Sequence, residues 1–271
     1  MSIPNEILAR KGARKVSEID LQVLEYLNRG QLETKNLTEW LAVDQLSLLQ
    51  HCLPKQWLSR IGQLEAVVLG LKKPSTLKIT NAIGQKLLEL SNDQAELADL
   101  EAYLLAHPSD SVRCWYGPLV SGQSLSLKVL INKLLPLAAD AHFGCRELAF
   151  FALKPHLVGE QLEDGIRLLA PLVVNADENI RRFAVEATRP IGVWTTHLQR
   201  LKEEPALGLP ILEPLKADPA RYVQNAVANW LNDASKSSPD WVINLCQHWQ
   251  QASDSKATAY IVKRGLRTIN K

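Results

Sequence analysis

Apolar residues recur along most of this chain at intervals of three and four, the spacing that lines one face of an α-helix. The clearest run is Asp218 to Lys236, DPARYVQNAVANWLNDASK. Asp218-Pro219 reads as a helix start, because an acidic residue can cap free N–H groups and proline suits the first turn. Tyr222, Val223, Ala226, Val227, Trp230 and Leu231 make one apolar face, while Asn225, Asn229, Asp233 and Lys236 line up on another. Such a helix has a packed back and a front that can present hydrogen-bonding groups outward.

The pattern repeats. Asp177 to Arg189, DENIRRFAVEATR, opens on an acidic start, with Ile180, Phe183, Ala184 and Ala187 behind and Arg182, Glu186 and Arg189 in front. Laying Ile180 on Val223 puts Arg182 on Asn225 and Glu186 on Asn229. Tyr260 to Lys271 is a further copy with Val262 in the same slot and Lys263, Arg264, Arg267 and Lys271 polar. Asp110 to Tyr116 places Val112 there, and His142 to Ala152, HFGCRELAFFA, is a looser copy. Val223 lies roughly 40 residues after Ile180 and roughly 40 before Val262, the period of paired-helix HEAT-type repeats. The spacing predicts an all-α fold: a right-handed α-solenoid of HEAT-like repeats, one domain over 1–271, with a concave polar and basic face. Residues 1–17 read as a basic, partly irregular segment, and Gly117-Pro118 as a break between helices.

Composition changes this picture little. The chain has 271 residues, 46% hydrophobic and 22% charged, and its aromatic share of 6% includes seven tryptophans, with no long alternating runs of the kind strands need. A net charge of +2 does not by itself demand a nucleic-acid partner, but the basic residues gather at Arg10, Lys11, Arg14 and Lys15 and again at Lys263, Arg264, Arg267 and Lys271. Cys52, Cys114, Cys145 and Cys246 are widely spaced and read as reduced thiols of a cytoplasmic protein. No signal segment or membrane span is read. Walker A, GxGxxG, HExxH and GxSxG motifs are absent, and the histidines lack metal-ligand spacing, so neither cofactor nor metal is expected.

With YVQNAVANWLNDASKSSPDWV (Tyr222–Val242), YIVKRGLRT (Tyr260–Thr268), IRRFAVEATRP and HFGCREL in view, the chain resembles the bacterial DNA alkylation repair glycosylases with HEAT-like repeats, the AlkC/AlkD group. The resemblance is clearest from about Asp110 onward, and ANWLNDASK looks closer to the AlkC branch. It implies a monomer, near the bacterial nucleoid, that binds duplex DNA and hydrolyses the N-glycosidic bond of N-alkylated purines such as 3-methyladenine or 7-methylguanine. It further implies a carboxylate beside C1′ flanked by aromatic side chains. The candidates are Glu147 and Glu186 for the carboxylate, and Trp115, Tyr116 and Trp194 for the aromatics near the lesion. Where AlkD-like proteins carry a tryptophan in the helix matching the central one, this chain places Asn229, with Trp230 on the packed side.

For DNA contact the repeat fronts offer Arg113, Arg146, Arg181, Arg182, Arg189, Arg221, Gln224, Asn225, Asn229, Lys236, Lys263 and Arg267. Contacts of this kind to phosphate fix register and carry no sequence information. Two other classes stay open at this stage: a repeat protein that binds damaged or structured DNA without cleaving it, and a protein-binding scaffold. The last predicts apolar anchors on the exposed face.

Overall fold

The computed structural model describes residues 3–270, so Lys271 lies outside the described residues. Every regular element among them is a helix. No helix among them is long and apolar enough to cross a membrane. Contacts group the chain into two compact units, Met1–Ser124 with Asp140–Leu148, and Leu125–Ala139 with Ala149–Lys271.

In the first unit the helix starts are set by short polar side chains. Asp20, Asn36, Asp44, Ser75 and Asp93 each accept a hydrogen bond from a first-turn N–H of the helix that follows. The helix Thr76–Leu90 packs on Tyr116–Ser121. Gly84 permits this approach, since a Cβ there would lie 2.6 Å from the Trp115 carbonyl oxygen. Gly117-Pro118 does not break the chain as the sequence suggests: both lie in the first turn of Tyr116–Ser121, where proline needs no N–H partner. A buried network joins three segments. Thr34 donates its N–H and hydroxyl to Asp110 at 2.9 and 2.8 Å, and the His142 ring reaches the Thr34 carbonyl at 2.8 Å.

In the second unit Glu178–Ala187 packs beside Arg221–Ala234, which packs beside Lys256–Gly265. The slot residues Ile180, Val223 and Val262 are all buried, so the register read from the sequence is the register of the core. Trp230 is fully buried on the packed side, where its indole N–H donates to the Thr188 carbonyl at 2.8 Å. Gly208 lies against that ring; a Cβ there would approach it to 2.5 Å.

The residue after the Val112, Cys145, Ile180 and Val223 positions proves to be a staple. Arg113, Arg146 and Arg181 each send Nη1 to the carbonyls six and five residues earlier, at 2.7–3.2 Å. Arg113 then grips Asp140 through Nε at 2.7 Å, and Arg181 grips Asp218 in the same way at 2.7 Å. Gln224 holds the equivalent place with its amide, donating to the Asp218 carbonyl at 2.7 Å. Asp218 is therefore not the cap of the central helix, which begins at Arg221; its carboxylate accepts from the Ala220 N–H and from both Nε and Nη2 of Arg181.

Candidate nucleic-acid interface

Three helices side by side bring the polar fronts of successive repeats together on one face of the second unit. At its centre is an ionic chain. Glu186, 3% exposed, meets Arg182 at 3.4 Å through one oxygen and Arg189 at 3.0 Å through the other. Arg189 continues to Asp233 at 2.7 Å, and Asp233 to Lys236 at 3.3 Å. Against the cost of burial, Glu186 and Asp233 hold the Arg189 guanidinium above its usual range.

Below this chain lies Lys154, fully buried, whose ammonium donates to the Arg189 carbonyl at 2.8 Å. Burial pulls its pKa down to about 8, with Arg189 adding to the fall and Glu186 and Asp233 opposing it. Against the ammonium lies Gly192, at which a Cβ would come within 3.0 Å of Nζ. Gly192 belongs to the loop that starts at Arg189 and is closed by the Leu198 N–H donating to the Pro190 carbonyl at 3.0 Å. That loop carries Trp194, 63% exposed and in left-handed backbone at φ 65°. A bulky side chain is uncommon in that region, and backbone strain of this kind concentrates at functional sites.

Aromatic rings and cations alternate toward the C-terminal helix. The Arg182 guanidinium sits 4.3 Å from the Tyr222 ring centre, and that of Arg221 sits 3.6 Å from Tyr260. The Tyr260 hydroxyl donates to the Asn225 side chain at 2.7 Å, and Arg267 donates to Asn229 at 2.9 Å. Lys236 and Lys263 are exposed.

Of the sequence-predicted residues, Glu186, Trp194, Arg182, Arg189, Arg221, Asn225, Asn229, Lys236, Lys263 and Arg267 thus all belong to this unit and to its repeat fronts or the adjoining loop. Trp115 and Tyr116 do not face outward. Both are buried in the first unit, Trp115 with its N–H on Gln45 at 2.8 Å, because the apolar side of their helix is the side they occupy. Gln224 is buried, and Arg113 and Arg181 spend their forks on Asp140, Asp218 and backbone carbonyls, so these three stabilise repeats and are not placed for phosphate. Arg146 shares that backbone grip. Glu147 is half-buried on Phe143–Leu153 in the first unit, two residues past Cys145, the register position that Arg182 and Asn225 hold in their repeats. One buried cation beneath the ionic chain was missed, and one carboxylate of the chain was read only as a polar front residue. Lys154 stands in the apolar run FFALKPHL, a signal that it is buried; Asp233 looks from sequence like a local turn residue.

Among the described residues no three His, Cys, Asp or Glu side chains cluster as a metal site. The architecture is that of AlkC/AlkD-like helical-repeat proteins. A Pseudomonas fluorescens structure described as the alkylpurine DNA glycosylase AlkC bound to DNA containing an abasic site analog superposes with a TM-score of 0.67 at 22% identity, covering 96% of this chain and 66% of that one. AlkD2 from Streptococcus mutans matches at 0.60 and 21% identity over 79% of this chain and 99% of its own, and smu.31 from Streptococcus mutans UA159 at 0.59 and 22% over 78% and 96%. The uncharacterized protein YhaZ of Bacillus subtilis (strain 168) is 36% identical over 121 residues, 45% of this chain and 33% of that relative, so the match spans about a third of the relative's length. No protein-family model matches the chain.

Proposed function

We propose that this protein binds duplex DNA along the repeat fronts and excises N-alkylated purines by hydrolysis of the N-glycosidic bond. The observation that carries the reading is the face of the second unit. Arg182, Arg189, Lys236 and Arg267 belong to that face, and the loop that follows Arg189 carries an exposed, conformationally strained Trp194, on a fold shared with a DNA-bound AlkC. Cations from successive repeat fronts suit a phosphate backbone, and an exposed indole suits a disturbed base stack.

The chemistry asks little of the protein. An N-alkylated purine is cationic, so when the C1′–N bond breaks the electron pair leaves with the base and neutralises it. Positive charge then develops at the sugar, where a carboxylate can stabilise it while water adds to C1′ and gives up a proton. Both oxygens of Glu186 already meet arginines, so its part is to hold Arg182 and Arg189 in place. Glu147, half-buried at the register position of Arg182 and Asn225, is the other carboxylate proposed for the sugar.

A second reading has its own support. Both carboxylates of the face, Glu186 and Asp233, are buried and paired, which suits a protein that recognises damaged DNA without cleaving it. Chromatography of free bases from methylated duplex DNA separates the two. Release of 3-methyladenine or 7-methylguanine by the wild type supports the glycosylase; salt-dependent duplex binding with no release supports the second reading.

A further inference from the structure

On the Asn229 side of this face the positive charges outnumber their carboxylate partners. Arg189 comes from the end of one repeat helix, Lys236 from the end of the next, and Arg264 and Arg267 from the last. Two carboxylates serve this group, and both are already shared: Glu186 between Arg182 at 3.4 Å and Arg189 at 3.0 Å, and Asp233 between Arg189 at 2.7 Å and Lys236 at 3.3 Å. Arg267 makes its two hydrogen bonds to neutral oxygens, the Asn229 side chain at 2.9 Å and the Arg264 carbonyl at 2.7 Å. Among the described residues neither Arg264 nor Arg267 has a carboxylate within ion-pair distance. Burial, then Arg264, lowers the Arg267 pKa, with Arg189 adding to this and Asp233 opposing it. Like charges gathered in partly desolvated surroundings repel one another, and a bound anion relieves that repulsion.

We infer that Arg267, which Asn229 positions, forms with Arg264 and Lys236 a seat for a single phosphate group. Guanidinium forks match the geometry of phosphate oxygens, and the two remaining cations are exposed and can close on the same anion. Asn229 keeps the seat open: it positions Arg267 without neutralising it, as an aspartate in its place would. The phosphate is either a diester of an intact duplex, which rests on the DNA reading above, or a terminal phosphomonoester, which does not.

The first arm uses inorganic phosphate, by isothermal titration against chloride at matched ionic strength. One phosphate should bind per chain. Arg264→Gln and Arg267→Gln should each weaken it roughly tenfold or more. Asn229→Asp should abolish it while raising the thermal midpoint of the phosphate-free protein, because the carboxylate then supplies the missing anion from within. No binding above the chloride control, or binding unchanged in Arg264→Gln, an exposed substitution that leaves the core intact, overturns the seat. The second arm compares intact duplex with duplex nicked and 5′-phosphorylated. Preference for the nicked duplex, lost in Arg264→Gln, assigns the monoester. Equal binding with a salt slope reduced by about 1 in Arg264→Gln assigns the diester. Duplex binding unaffected by Arg264→Gln overturns the seat, whereas phosphate binding without duplex binding keeps it and overturns the proposed function.

Discussion

Replacing Glu186 with glutamine keeps the shape of the side chain and removes the negative charge between Arg182 and Arg189. The carboxylate is 3% exposed, so water cannot take its place. Orphaning a buried charge costs about 3–5 kcal/mol. Here the loss is smaller, because Arg189 keeps Asp233 at 2.7 Å and Arg182 keeps the Tyr222 ring at 4.3 Å. About 2–3 kcal/mol is expected, which for a chain of this size lowers the thermal midpoint by about 4–5 °C. Differential scanning calorimetry reads the shift, and a double-mutant cycle with Arg189→Gln should return a coupling above about 1 kcal/mol. Duplex affinity at fixed salt should hold or rise, since an anion has left a cationic face. A midpoint within about 1 °C of wild type would refute the reasoning. So would loss of base release at unchanged stability, which would move Glu186 from holding arginines to the chemistry itself.

Three further outcomes follow from the same geometry. Arg181→Ala should destabilise the fold by about 3–5 kcal/mol in urea denaturation without changing the salt dependence of DNA binding, whereas Lys263→Gln should leave stability unchanged and reduce the salt slope by about 1. Trp194→Gly should hold or raise stability by about 1 kcal/mol, by relieving left-handed strain, and should lower single-turnover base release at least tenfold if the indole meets the lesion. Lys154, with its pKa held at about 8 in the fold, gives stability a pH dependence of known sign. Below about pH 8 both states hold the proton; from there to the ordinary lysine range the unfolded chain holds a proton that the folded chain has released. Stability therefore climbs with pH, by up to about 1.4 kcal/mol per unit, and the climb should be missing in Lys154→Met when the two are compared by thermal melts.

The helix register was legible because burial enforces it: Ile180, Val223 and Val262 had to face a core, and the spacing of their neighbours followed. The polar start at Asp177 was legible because orphan N–H groups need short acceptors, and the Asn179 N–H donates to it; the start read at Asp218 was not such a cap. Pairing across repeats was not. Arg181 finds Asp218 across 37 positions and Arg189 finds Asp233 across 44, and local spacing says nothing about such partners. An arginine beside the slot therefore reads equally well as a phosphate contact or as a staple, and only burial separates them. Trp115 and Trp194 show the same limit for aromatics. A tryptophan in a helix can face either way, whereas one that follows Pro190 and Gly192 in a loop has little core to enter.

The central claim is the proposed release of N-alkylated purines from duplex DNA, with Glu147 as the proposed carboxylate. It is tested most directly by single-turnover release of 7-methylguanine from methylated duplex, comparing wild type with Glu147→Gln, with duplex affinity measured on the same samples. The account predicts release by wild type, and a rate at least a hundredfold lower in Glu147→Gln at unchanged affinity, about the loss that removal of one electrostatic stabiliser brings. Release at the wild-type rate by Glu147→Gln would contradict it.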